Sequence, residues 1–438
     1  MSKSPSFYRR IYQNNPWWIP PYILGRTPDI EKRLMTLLGF MAFALLFENY
    51  DMSLLGATLK YIAADLNIRE TELSQFNALI RLGALPAFIL IPWADQIGRR
   101  RLFIGAIAGL SIGTGLSAFS QTAEQFIFFQ IIARTFLITA SAISVVIITE
   151  EFPAEHRGWG IGVMTAIGAF GHGLGALMFG FIDSLPYGWR ALYLIGMLPV
   201  FLLPLLLRRI PETSRYLEHQ SKREVKSKHW AQWLVAWIHP IIGLFRKFPA
   251  RASGIALVGI FASFGHAVVF AFIGYFVLDY HQWAPWQYSM MVIICGLFGL
   301  PGNVIAGHLA DRFGRRVVGF AFMVVFPIGA FLFYLGPSLT MPIVWIGLVF
   351  SVMGGNVIIR ALSAELFPTE MRGTSTGLIA IVETLGAFTG LIIMGSFTVE
   401  RGDLIQIIPW FSLATAFSAI ILLVMPETSR RELENISN

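Results

Sequence analysis

Long apolar runs interrupted by short polar breaks set the pattern of this chain. Twelve such runs can be counted, at roughly 35–62, 72–94, 102–119, 125–149, 159–182, 190–207, 253–278, 286–308, 317–336, 341–363, 374–396 and 405–425. A helix needs about 20 apolar residues to cross ~30 Å of hydrocarbon, and each run is of that order. Six lie before a long polar stretch at 208–252 and six after it. The expectation is an all-α membrane protein with twelve transmembrane helices in two pseudo-symmetric six-helix bundles. Its parts would be an amino-terminal segment (1–34), a first bundle (35–207), a linker (208–252), a second bundle (253–425) and a tail (426–438).

The polar breaks repeat. DQIGRRR at Asp95–Arg101 returns as DRFGRR at Asp311–Arg316, FPAEHRG at 152–158 as FPTEMRG at 367–373, and PETSR at 211–215 as PETSR at 426–430. The near-constant offset of 215 or 216 residues means two copies of one half. Internal symmetry in a membrane chain is how many secondary transporters are built, with the substrate site between the halves. A site within one chain needs no second copy, so a monomer is expected.

Composition strengthens the membrane reading. The chain is 55% hydrophobic and 13% charged, with 37 phenylalanines, far from the soluble balance. The formal charge of +7 raises nucleic acid as a partner until its distribution is followed. With both termini in the cytoplasm, the inside segments hold 26 of the 33 Lys and Arg, and the outside loops hold only Arg69, Arg190 and Arg401. Positive-inside bias accounts for the basic balance and sets the orientation, so the partner is a lipid bilayer and no nucleic acid is needed. The single Cys295 allows no intrachain disulfide, and no cleavable signal peptide is expected ahead of so long a first run. Trp17 and Trp18 stand among basic residues. Trp230, Trp233 and Trp237 recur at helical spacing beside Lys222, Arg223, Lys226 and Lys228. That spacing suits a helix on the cytoplasmic lipid surface; a loosely packed linker is the alternative.

These residues resemble the major facilitator superfamily. They carry G-x-x-x-D-x-x-G-R-R before the third and ninth spans, E-x-F-P-x-x-x-R-G after the fourth and tenth, and PETSR after the sixth and twelfth. The resemblance covers nearly the whole chain and is strongest to the sugar porters and their metabolite:proton symporter relatives. In the first copy Ile91 stands where Gly307 stands in the second, which implies looser packing there. The resemblance implies alternating access, with Asp95, Gly98, Arg99 and Arg100, and Asp311, Gly314, Arg315 and Arg316, locking the cytoplasmic gate. Glu151, Arg157, Glu365 and Arg372 are expected to join the same switch. A carboxylate near a helix N-terminus and an arginine cluster is favourable there. The other possibility is that these arginines only hold topology.

Duplication also acts as a filter. Scaffold features appear twice, whereas ionisable groups inside the membrane that appear once default to function. The single-copy set is Glu48 and Asp51 in the first span, Arg81 in the second, Arg134 in the fourth, Arg360 in the tenth and Glu383 in the eleventh. The repeat places His266 opposite Asp51 and Val349 opposite Arg134. At ~1.5 Å rise per residue, Asp51 and Arg134 reach a similar depth near mid-membrane, with Arg81 close to it. Glu48 and Asp51 are three apart and share a helix face. By resemblance, NYD at 49–51 matches the start of sugar-porter helix 1, whose Asp couples transport to protons with an Arg on helix 4. Burial favours a neutral acid and a nearby guanidinium a charged one, so a changing distance decides whether a proton is held. Asp51 is expected to be the proton acceptor and Arg134 its switch, against a purely structural ion pair.

Substrate identity is less legible. Where sugar porters carry a pair of glutamines, residues 261–272 read FASFGHAVVFAF, and their stacking Trp corresponds by resemblance to Arg360. Arg360 can fork onto a carboxylate or snorkel to the membrane edge, and Glu383 can pair with it or meet a cation. A charged or zwitterionic metabolite is therefore favoured over a hexose. His172, His266, Asn356 and Tyr275 are further cavity candidates, although a lone intramembrane His is more often a packing residue. No metal-ligand spacing and no phosphate-cradling loop occurs, so no metal, no cofactor and no ATP are expected. An enzyme is not expected either. Proton-antiport efflux of amphipathic drugs and sugar transport remain the rivals, with a transport-inactive sensor behind them. The expected location is the cell (inner) membrane.

Overall fold

The computed structural model describes residues 27, 28, 30–213, 216 and 230–429. Trp17, Trp18, Lys222, Arg223, Lys226 and Lys228 fall outside the described residues, as do the side chains of Asp95, Trp230, Trp233 and Trp237. Among the described residues the regular structure is helical throughout. Inside hydrocarbon a helix satisfies its own backbone, which is why these apolar runs take that form.

Among the described residues, eleven stretches are long and apolar enough to cross a membrane by length and composition. They are α1 (Lys32–Asp65), α2 (Glu70–Ala94), α4 (Ala123–Glu151), α5 (Arg157–Phe179), α6 (Trp189–Arg209), α8 (Pro249–Tyr280), α9 (Pro285–Phe313), α10 (Arg315–Leu335), α11 (Ser338–Glu365), α12 (Arg372–Phe397) and α13 (Asp403–Val424). Between α2 and α4 runs α3 (Arg99–Ser117), of 19 residues, packed along α4. It opens on Arg99, Arg100 and Arg101 and carries Ser111, Thr114 and Ser117, so its apolar content falls short of the others. The linker contributes α7 (Trp230–Lys247). Its second half packs on the second bundle, with Leu244 fully buried among Ile255, Val258 and Leu362.

The repeated motifs fall at one end of the molecule and build the same joint twice. Gly98 (φ +104°) and Gly314 (φ +99°) turn the chain between α2 and α3 and between α9 and α10 in a conformation that disfavours any side chain. A Cβ there would also fall 2.4 Å from Glu212 Oε2 and 2.6 Å from Glu427 Oε2. Those two glutamates, from the PETSR copies, occupy the space because they cap the next helix. Glu212 accepts from Arg100 N at 3.0 Å and Thr213 N at 3.2 Å. Glu427 accepts from Arg315 N at 2.8 Å, Arg316 N at 3.1 Å, and Thr428 N and Ser429 N at 3.0 Å each. A carboxylate on the unpaired N–H groups of a helix start satisfies both their hydrogen bonds and the helix dipole.

The arginine after each glycine then reaches the end of the neighbouring long helix. Arg99 meets Glu150 at 3.1 Å and Arg315 meets Glu365 at 3.1 Å, with Asp311 on Arg315 at 2.9 Å. The acid facing Arg99 is thus Glu150 and not Glu151, which was singled out from sequence. One residue turns a helix face by about 100°, and Glu151 points instead to Arg33, 3.0 Å away. Arg157 does not meet Glu151 but donates to the Phe152 carbonyl at 3.0 Å, and Arg372 keeps a buried Nε with no partner. Each pair named here joins residues of one half.

The halves meet at the opposite end. One cluster of buried apolar side chains spans both halves there, including Leu54, Leu55, Phe76, Phe272, Tyr275 and Leu391, whereas at the motif end each half has its own cluster. Backbones touch where α1 crosses α8, and a Cβ on Gly274 would lie 2.2 Å from Gly56 O. Ser74 donates to Leu391 O at 2.6 Å, and Ser289 to Ala176 O at 2.6 Å. A polar rim completes the seam. The Glu70 carboxylate accepts from Tyr275 at 3.1 Å, Tyr280 at 2.7 Å and Gly402 N at 2.9 Å, while Lys60 donates to Leu278 O at 2.7 Å.

Two outcomes are expected. Glu427→Gln keeps the shape of the cap and loses its charge, lowering stability by about 1–2 kcal/mol. Partial burial opposes ionisation of Glu427, but its four backbone donors outweigh that and hold the carboxyl below the ordinary glutamate range. A depressed value in the folded state adds stability that is complete at neutral pH and lost as pH falls through it. The Tm gap between wild type and Glu427→Gln is therefore present at pH 7 and closes as pH falls through and below the ordinary glutamate range. Separately, Gly274→Val forces α1 from α8, and spin labels placed across that end are expected to move apart.

Candidate functional site

Rotation of α1 decides which of its side chains face the interior. Tyr50, fully buried, donates to Leu192 O at 2.9 Å and pins α1 to α6. On the other side Gly171 lets α5 approach so closely that a Cβ there would lie 1.9 Å from Leu46 O. Glu48 and Asp51 are thereby held inside the first half. Asp51 is 2% exposed; Thr114 of α3 donates to its Oδ1 at 2.8 Å, and its Oδ2 has no partner. Glu48 is half-buried beside Ser141 and Asp51, and its Oε2 is also without a partner.

One guanidinium, Arg134, stands near these acids without closing on them, and a second, Arg81, stands near the first. Arg134 is 8% exposed and within electrostatic reach of Asp51, yet among the described residues its hydrogen bond goes to Met52 Sδ, at 3.1 Å, and its Nε has no partner. Arg81 lies near enough to Arg134 for the two like charges to act on each other. Among the described residues Arg81 makes no ion pair and no hydrogen bond. The four single-copy groups of the first half thus share one neighbourhood as separate charges.

The second half contributes a sparser set. Asn356 and Arg360 lie one turn apart on α11, and Arg360 is exposed. Glu383 of α12 lies beside Gly259 of α8 and feels the charge of Arg360 without an ion pair to it. His266 stacks edge-on against Phe326 at 4.5 Å between ring centres, inside an aromatic group with Phe270 and Trp345, so packing accounts for it. His172 is exposed on α5. Tyr275 leaves the substrate set, because its hydroxyl is committed to Glu70 in the far-end seam. Among the described residues no group of three or more His, Cys, Asp or Glu is arranged to hold a metal ion.

Two members of the site carry no formal charge and escaped a search restricted to charges. Among the described residues Thr114 is the hydrogen-bond partner of Asp51, and Tyr193 of α6 is fully buried with its hydroxyl near Thr58, Asp51 and Arg134. The repeat puts Gly329 opposite Thr114 and Ile408 opposite Tyr193. Extending the single-copy filter from charges to hydroxyls would have found both.

Comparison with known proteins agrees with this architecture. The sequence model of the Major Facilitator Superfamily matches residues 41–390 and 255–437. A niacin transporter of Acinetobacter baylyi is 24% identical over 430 residues, covering 93% of this chain and 97% of its own. A sialic acid transporter of Escherichia coli is 24% identical over 391 residues, covering 86% of this chain and 90% of its own. Among solved structures, the inward open conformation of the xylose transporter XylE from E. coli superposes with a TM-score of 0.69 at 18% identity, over 92% of this chain and 99% of that one. With its paired loop joints, its long apolar helices and a charged centre inside its first half, this chain belongs to the major facilitator superfamily of membrane transporters.

Proposed function

We propose that the chain imports a small organic carboxylate together with protons, by alternating access in a cell membrane. The motif end lies in the cytoplasm on the distribution of Lys and Arg, and α3 completes twelve spans. The state described here is then closed to the outside at the Gly56–Gly274 crossing.

The observation that carries this proposal is the pair of unneutralised guanidiniums, Arg81 and Arg134, beside an acid with a free oxygen. Two like charges in a low-dielectric site are relieved by an anion, and a carboxylate accepts the forked donors of arginine. Asp51 competes for the same charge. Protonated, it leaves Arg134 to the substrate; ionised, it draws Arg134 back. Binding of proton and anion is thereby mutually favourable, which is what symport requires. Niacin and sialic acid, the cargoes named for two relatives, are both carboxylic acids. Glu383 supports a narrower version in which the substrate is zwitterionic and presents a cationic nitrogen to the second half. A hexose is disfavoured because α8 lacks the amide pair that would meet hydroxyls. Drug antiport is disfavoured because such a cargo would leave both arginines without a counter-charge.

Proteoliposomes provide the test, with labelled nicotinate, sialate, benzoate, glucose and a lipophilic cation offered under an inward proton gradient. Uptake of a carboxylate is expected, and uptake of only glucose or the cation overturns the proposal. With the substrate so identified, Asp51→Asn is expected to keep exchange and lose accumulation against a gradient, and unchanged uphill uptake would exclude Asp51 as the coupling group. Arg81→Ala is expected to raise KM about tenfold or more, the cost of losing one charged hydrogen bond.

A further inference from the structure

A second basic site lies away from the transport path. At the motif end of the first half is a cavity of about 420 Å³ lined by Arg33, Arg100, Arg208, Arg209, Ile210 and Pro211. Three helix ends bring the guanidiniums together: Arg33 from the first turn of α1, Arg100 from the first turn of α3, and Arg208 with Arg209 from the last turn of α6. Two neighbouring acids are already engaged, Glu151 with Arg33 at 3.0 Å and Glu212 as the cap on Arg100 N at 3.0 Å, while Glu31, just ahead of α1, is exposed to solvent. Arg100 donates one nitrogen to the Leu207 carbonyl and keeps a buried Nε with no partner. Arg208 and Arg209 are exposed and make no ion pair or hydrogen bond among the described residues.

The fold does not require this cluster. The repeat sets Phe248, Arg316, Leu423 and Val424 in the places of Arg33, Arg100, Arg208 and Arg209, and Leu366 in the place of Glu151. The second half makes the same junction with apolar side chains at three of the four positions. Topology accounts for basic residues at this end, but it does not call for their convergence on one cavity. Directly above the arginines, α6 turns Phe201, Leu205 and Leu207 outward as exposed apolar residues.

We infer that this cavity binds the phosphate headgroup of an anionic phospholipid, with Arg208, Arg209 and the free Nε of Arg100 on the phosphate and the acyl chains along the outer face of α6. Guanidiniums fork onto phosphate oxygens, and the exposed leucines and phenylalanine distinguish a lipid from a soluble anion. The assignment rests on the membrane orientation proposed above and is independent of the substrate.

Thermal unfolding of the full-length protein in neutral detergent tests it, with added phosphatidylglycerol, phosphatidylcholine or inorganic phosphate. Phosphatidylglycerol is expected to raise Tm several degrees more than phosphatidylcholine does, since a ligand that binds only the folded state stabilises it by mass action. The double variant Arg208→Leu/Arg209→Val, which carries the residues of the second half, is expected to lose most of that difference. Arg246→Ala/Lys247→Ala, which removes the same charge elsewhere at the motif end, is expected to keep it. Equal effects of the two lipids on the wild type, or equal loss in both double variants, overturns the site. Stabilisation by inorganic phosphate alone overturns the lipid and leaves a soluble anion. Should the leucine–valine variant not fold, Arg208→Lys/Arg209→Lys keeps the charge without the fork and is expected to weaken the phosphatidylglycerol effect, while the wild-type comparison of lipids decides by itself. None of these readouts involves transport, so their failure leaves the carboxylate proposal untouched.

Discussion

Hydrocarbon offers no hydrogen bonds, so every polar group carried into it must find its partner within the protein. Most of this structure follows from that constraint. The backbone meets it by forming helices, and the helix starts at the motif end meet it through Glu212 and Glu427. Serine and threonine hydroxyls turn back to carbonyls of their own helix, as Thr139 and Ser144 do on α4. Buried atoms without a partner occur at several places among the described residues, Ser111, Trp345 and Ser375 included, but those of Asp51, Glu48, Arg134 and Tyr193 share one neighbourhood in the first half. Leaving a buried polar group unsatisfied is costly, so these atoms mark the place where the proposed proton and anion would find partners.

The same constraint shapes the contact between the two halves. Their contact in this state is a seam at one end, built from backbone crossings and a small polar rim around Glu70. At the other end each half keeps a separate apolar cluster and its own ion pairs. This division of contacts is what the alternating access proposed above would use. Duplication gives both halves the same joint of glycine turn, carboxylate cap and arginine pair. The charged centre and the four-arginine cavity, by contrast, belong to the first half alone.

The difference between repeated and unrepeated features was open to inspection in the sequence, but only for residues whose type announced them. A charge inside an apolar run, as at Asp51 and Arg134, announces itself in this way. Thr114 and Tyr193 were passed over because a hydroxyl inside a membrane helix is ordinarily satisfied by its own backbone. Tyr275 went the other way. Its place at the far end of α8 put it in reach of Glu70, a contact across 205 residues that no local pattern encodes. Glu150 and Glu151 illustrate the limit most sharply: adjacent and chemically identical, they are separated only by the rotation of α4.

By itself the sequence determined the membrane character, the two-half architecture, the paired joints and the set of single-copy charges. These depend on hydropathy, spacing and repetition, which are local or periodic properties of the chain. Tertiary structure decided which acid each arginine meets, that the PETSR glutamates are helix caps, and that Arg134 stands apart from Asp51. It also decided which end of the molecule is closed. Such facts depend on helix rotation and on the distance between helices remote in sequence, and a change of one residue in phase or a few ångströms in position would reverse them without altering any pattern along the chain.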